Sequence, residues 1–202
     1  MATEKININR VTQLVYWVIG AIALAGVVFM FWPKEDTHTQ LRGNLKLSSD
    51  SMVVVNHYLE WADEASKSDM NVNHGFVSTG LSKMADALKV LSTKVSRKMG
   101  DDSKARIDTI KEMSDLLIKD SKSSQHADMI KKAFTASGEV LTSVQTYSFP
   151  ELENEIEILN EKISEIESEK PTLEQKPEIV QSFQQVAVLL KKMTDDENKN
   201  LE

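Results

Sequence analysis

Four histidines, His38, His57, His74 and His126, are the side chains of this 202-residue chain best suited to proton or metal chemistry near neutral pH. A helix that binds a metal places two ligands three or four residues apart on one face. No two of these histidines have that spacing, and no His-Glu-x-x-His or Glu-x-x-His pair occurs. His57 and Glu60 form one His-x-x-Glu pair, half of a metal site with no second half, and read as a polar pair beside a core stripe. Cysteine is absent, which excludes a thiol nucleophile, a thiolate metal site, a disulfide framework and c-type haem attachment. There is no glycine-rich phosphate loop, no nucleophile elbow and no carboxylate pair with a partner base. The chain is expected to be no enzyme and to carry no cofactor or metal.

The strongest compositional bias is acidic. Glu151, Glu153, Glu155, Glu157, Glu161, Glu165, Glu167 and Glu169 crowd one stretch against a single lysine before Lys170, Lys162. Glutamates at nearly every polar position of a helix repel one another unless well solvated or faced by basic groups. Lys83, Lys89, Lys94, Arg97, Lys98, Lys104, Arg106, Lys111, Lys131 and Lys132 on the preceding helices offer such groups. One reading is that these charges set helix pairing or solubility. The functional reading is that the acidic helix projects as a coiled coil and docks on a basic partner. The segment from His126 to Lys131 loosely resembles a phosphotransfer helix, but the adjacent Lys-Gly pattern is missing.

These residues must be positioned by helices, and the first of them sets the location. Val11 to Trp32 carries no charge, and from Leu14 onward it is almost wholly apolar. A helix of that length spans roughly 28 Å, close to the hydrocarbon thickness of a bilayer. Tyr16 and Trp17 lie near one boundary, and Phe29, Phe31 and Trp32 near the other, as interfacial aromatics do. The apolar run continues past Ala21, Ala23 and Ala25, which favours an uncleaved signal anchor over a cleaved leader. Gly20, Ala21 and Ala25 make a weak small-residue face for packing against another membrane helix. Lys5 and Arg10 balance Lys34, Arg42 and Lys46, so flanking charge decides little. The short leading tail favours an N-in topology in the inner (cytoplasmic) membrane, with the bulk of the chain periplasmic or otherwise extracytoplasmic.

After residue 40 the apolar residues recur at threes and fours. Leu41, Leu45, Met52, Val55, Leu59 and Ala62 define a stripe with Ser48 as its polar gap, predicting a helix over 37–68 and a turn at Asn71 to Gly75. Val77, Leu81, Met84, Leu88, Leu91, Val95 and Met99 form the next, closed by Gly100 with Asp101 or Asp102 as cap. Ile107, Ile110, Met113 or Ser114, and Leu117 form a third. Ala127, Ile130, Phe134, Leu141 and Val144 form a fourth, with Ser137-Gly138 as a soft point. Pro150 opens a fifth helix seamed by Leu152, Ile156, Leu159, Ile163 and Ile166 and stopped by Lys170-Pro171. Pro177 opens the last, seamed by Ile179, Phe183, Val186, Leu190 and Met193.

The expected fold is all-α: a single N-terminal transmembrane helix followed by an antiparallel helical bundle with coiled-coil-like seams. Its parts are a cytoplasmic tail over 1–10, a signal anchor over 11–32, a linker over 33–40, a helical domain over 41–194 and a polar tail over 195–202. The net charge of −7 argues against a nucleic-acid partner. The expected partners are the lipid bilayer and membrane or periplasmic proteins, with a homo-oligomer as a further option. The expected function is a tethered accessory or scaffold subunit of an envelope complex. The alternative is a sensor or ligand-binding module; the layout resembles chemoreceptor ligand-binding domains, but those need a second span, so this chain would have to signal through a membrane partner.

Overall fold

The computed structural model describes residues 47–67, 73–95, 102–120 and 123–195, all within the unit Gln40–Glu202. The expected span, Val11 to Trp32, lies outside the described residues, and so do His38, Leu41, Leu45, Met99 and Gly100. Among the described residues no helix is long and apolar enough to cross a membrane.

The described residues form six α-helices and no strand. They are α1 (Ser49–Lys67), α2 (His74–Val95), α3 (Asp102–Lys119), α4 (His126–Ser148), α5 (Glu153–Ser164) and α6 (Lys176–Asp195). Short 3₁₀ turns at Pro150–Leu152 and Thr172–Glu174 precede α5 and α6. Successive helices run antiparallel. Trp61 of α1 meets Phe76 of α2, and the Ser78 hydroxyl of α2 meets that of Ser114 on α3. Arg106 of α3 pairs with Glu139 of α4, Lys131 of α4 reaches the carbonyl of Ile166 just beyond α5, and Glu155 of α5 pairs with Lys192 of α6. The bundle closes where α1 packs on α6; α3 lies against α2 and α4, and α5 against α4 and α6.

The core forms where the apolar spacing places it. Leu81, Leu88, Leu91, Ile110, Leu117, Ile130, Phe134, Leu141, Leu159 and Phe183 are fully buried. Each such side chain contributes about 1.5–3 kcal/mol relative to an exposed one. In α1 the observed face is rotated from the expected stripe. Val55, Tyr58, Trp61, Ala62 and Ala65 are buried, whereas Met52 and Leu59 are only half-buried. Aromatic packing decides this. Trp61 stacks on Tyr58, tilts against Phe76 and meets Phe183 edge-on at 4.8 Å, and Phe183 in turn meets Phe134 at 4.7 Å. The Tyr58 hydroxyl donates to the Phe183 carbonyl at 2.8 Å, which satisfies its polar end inside the core.

Three boundaries differ from expectation. Ser48 is not a gap inside a helix from residue 37. It caps α1, its hydroxyl accepting from the Ser51 amide at 3.3 Å. Asn73 does the same for α2 by accepting from the Phe76 amide at 2.8 Å, so His74 and Gly75 belong to the helix and not to a turn. The fifth helix ends at Ser164, before Lys170-Pro171, because Gln175 holds the chain that follows. Its side-chain amide donates to the carbonyls of Glu167 and Lys170, and its oxygen accepts from the Glu167 amide. The Ser137-Gly138 soft point leaves α4 unbroken; the buried Ser137 hydroxyl donates back to the Phe134 carbonyl.

Candidate protein-docking surface

The acidic stretch is built from the seam outward. Leu152, Ile156, Leu159, Ile163 and Ile166 are all buried, so the residues between them are turned away from the bundle. Glu151, Glu153, Glu157, Glu161, Glu165, Glu167 and Glu169 are exposed, and Glu155 is half-buried. The helix does not project; its apolar edge is occupied by α4 and α6. Gly138 makes this approach possible on the α4 side. A Cβ there would lie 3.3 Å from Ile163 Cδ1 and 3.4 Å from Asn160 Oδ1.

The electrostatics divide the glutamates into two sets. Glu155 pairs with Lys192, and that hydrogen bond, ahead of the opposing effect of burial, holds its carboxyl below the usual value. Glu165 pairs with Lys162 at 3.0 Å and Glu167 with Lys170 at 3.6 Å. Glu153, Glu157 and Glu161 stand one turn apart with no ion pair among the described residues. Like charges at that spacing destabilise a helix by about 0.2–0.5 kcal/mol per pair. Among the described residues, the basic side chains expected to answer them do not. Lys111 pairs with Asp86 at 2.8 Å, Arg106 with Glu139 and Asp102, and Lys131 with a backbone carbonyl. Among the described residues the one direct basic partner from another helix is Lys192 of α6, which was not among those the sequence singled out.

A groove of about 400 Å³ runs beside this face, floored by Gly138 and lined by Thr135, Thr142, Ser143, Asn160 and the Arg106–Glu139 pair. A second, of about 250 Å³, lies between α2 and α3 beside Lys89, Lys104 and Lys111. Both are hydroxyl-rich, and among the described residues neither holds a nucleophile–base pair.

The histidines fall in different places. His57 and Glu60 are both exposed on α1. His126 is buried at the start of α4, its Nε2 within 2.6 Å of the Asp120 carbonyl, and it touches His74 at the start of α2. That contact joins residues 52 positions apart, and helical periodicity carries no signal for it. Among the described residues no three His, Asp or Glu side chains come together as a metal site. Comparison with family models, with curated proteins and with solved structures returned no match.

Proposed function

We propose that this chain is a non-enzymatic accessory or scaffold subunit of an envelope complex. Val11–Trp32 would hold it in the inner membrane as a single N-in span, and its helical bundle would make protein contacts in the periplasm. One observation carries the docking part of the reading. α5 spends its apolar edge inside the bundle and turns Glu153, Glu157 and Glu161 outward with no ion pair among the described residues. A row of uncompensated like charge lowers the stability of the free subunit and is relieved by a basic partner, whose approach it also steers. The uncharged apolar run supports the membrane part.

Photo-crosslinking tests both parts. A crosslinker at Glu157 or Glu161, in native membranes, is expected to give a discrete adduct that one at the exposed Glu60 of α1 does not. Charge reversal at Glu153, Glu157 and Glu161 together is expected to abolish it. Identical labelling from α1 and α5, or release of the chain by alkaline washing of the membranes, would overturn the reading.

The alternative, a ligand-binding module acting through a membrane partner, is favoured by the α3–α4–α5 groove, whose volume suits a small polar molecule. Saturable binding abolished by Gly138→Leu, with the α5 crosslinks intact, would decide for it.

A further inference from the structure

The first turns of α2 and α4 place the His74 and His126 imidazoles in contact, with ring centroids 4.0 Å apart and planes at 61°. His126 is buried, and one of its nitrogens is committed to the Asp120 carbonyl. Each ring belongs to the first residue of its helix, His74 of α2 and His126 of α4. A helix N-terminus carries partial positive charge and disfavours a cation. The first turn of α2 has no acidic residue to offset one. In α4 the first turn carries one acid, Asp128, whose carboxylate is directed at the Ser168 hydroxyl.

We propose that the His74–His126 contact is an acid-sensitive latch that holds the first turns of α2 and α4 together while both rings are neutral and releases them when both are protonated. Burial, mutual repulsion and two helix dipoles all oppose the doubly charged pair, and they act in the same direction. Among the described residues, the other charged groups at this end of the bundle do not reverse the balance. On α1, Asp63 pairs with Lys67, and Glu64 is likewise engaged. Lys119 and Asp120 close α3, both exposed. Lys131 of α4 donates to Ile166, and Glu167 pairs with Lys170. His74 itself is held below the ordinary histidine value of 6.5, first by burial and then by the charge of His126. Folding therefore favours its neutral form. The stabilisation is complete above the unfolded value and is lost as pH falls through the lowered folded one.

Hydrogen exchange on the full chain in detergent tests this, read at about pH 7.5 and about pH 5 and corrected for the intrinsic rate. The latch predicts at least about tenfold loss of protection at acid pH in the first turns of α2 and α4, with residues 183–190 of α6 unchanged. His126→Gln removes one charge; it should abolish the acid effect in α2 and raise the titration point of His74 in histidine NMR, with exposed His57 as reference. His74→Gln gives the same readout at α4 if the first variant does not fold. Equal protection at the two pH values in the parent protein, or an acid effect that survives in both variants, would overturn the proposal.

Discussion

Gly80 faces the Trp61 indole so closely that a Cβ built on it overlaps the ring, with Trp61 Cζ2 at 2.7 Å. Gly80→Ala must therefore displace Trp61 from its contacts with Phe76 and Phe183. The expected cost is about 1–3 kcal/mol, read as a lower urea midpoint without a change in slope. Tyr58 offers a milder probe in the same cluster. It is fully buried, and burial raises its hydroxyl well above the ordinary tyrosine value. Tyr58→Phe keeps the ring and loses the bond to the Phe183 carbonyl, for an expected cost of about 0.5–1.5 kcal/mol by the same measurement. Glu155 predicts a response to acid of its own. Its folded value is lowered, so its contribution is present above the unfolded carboxylate value and is lost as pH falls through the folded one. Lys192→Ala should remove that dependence at a cost below about 1 kcal/mol, because the lysine is largely exposed.

Among the helices, α5 makes the sharpest prediction because stability and docking pull apart there. A lysine at position 157 would stand one turn from both Glu153 and Glu161. Glu157→Lys is expected to raise the thermal midpoint modestly, by the equivalent of about 0.5–1 kcal/mol, while weakening the α5 crosslink. A substitution that stabilises the free subunit yet loses its partner separates docking from folding. The seam of α5 was fully legible in the sequence: Leu152, Ile156, Leu159, Ile163 and Ile166 are spaced for one face and all lie buried. So were those of α3, α4 and α6, because apolar side chains at threes and fours have one way to leave water. The face of α1 was not, since hydropathy counts Met52 and Leu59 equally with Tyr58 and Trp61, whereas ring-to-ring packing does not. Nor was the end of α5, which a glutamine ten residues downstream of Glu165 determines through three hydrogen bonds to the backbone. The two-histidine contact, like the α5–α6 ion pair, depends on which helices become neighbours, and periodicity within one helix cannot specify that. The glutamates were legible as a charged face; that Lys192 would answer Glu155 directly from another helix was not.

At the level of the molecule, an even number of antiparallel helices decides where the described chain begins and ends. Tyr58 lies opposite Phe183 on neighbouring antiparallel helices, so the start of α1 and the end of α6 fall at the same end of the bundle. The helix starts that carry His74 and His126 fall at the other. This arrangement has a mechanical consequence. A force applied between residues 47 and 195 does not slide α1 along α6 against all of their contacts at once. It parts the two helices from one end, contact by contact, as a zipper opens. The bundle should therefore yield at low force when pulled through its termini. It should resist far better when gripped at Leu47 and at the turn before α4, where α1 must slide along α2 and α6, and α4 along α2, α3 and α5.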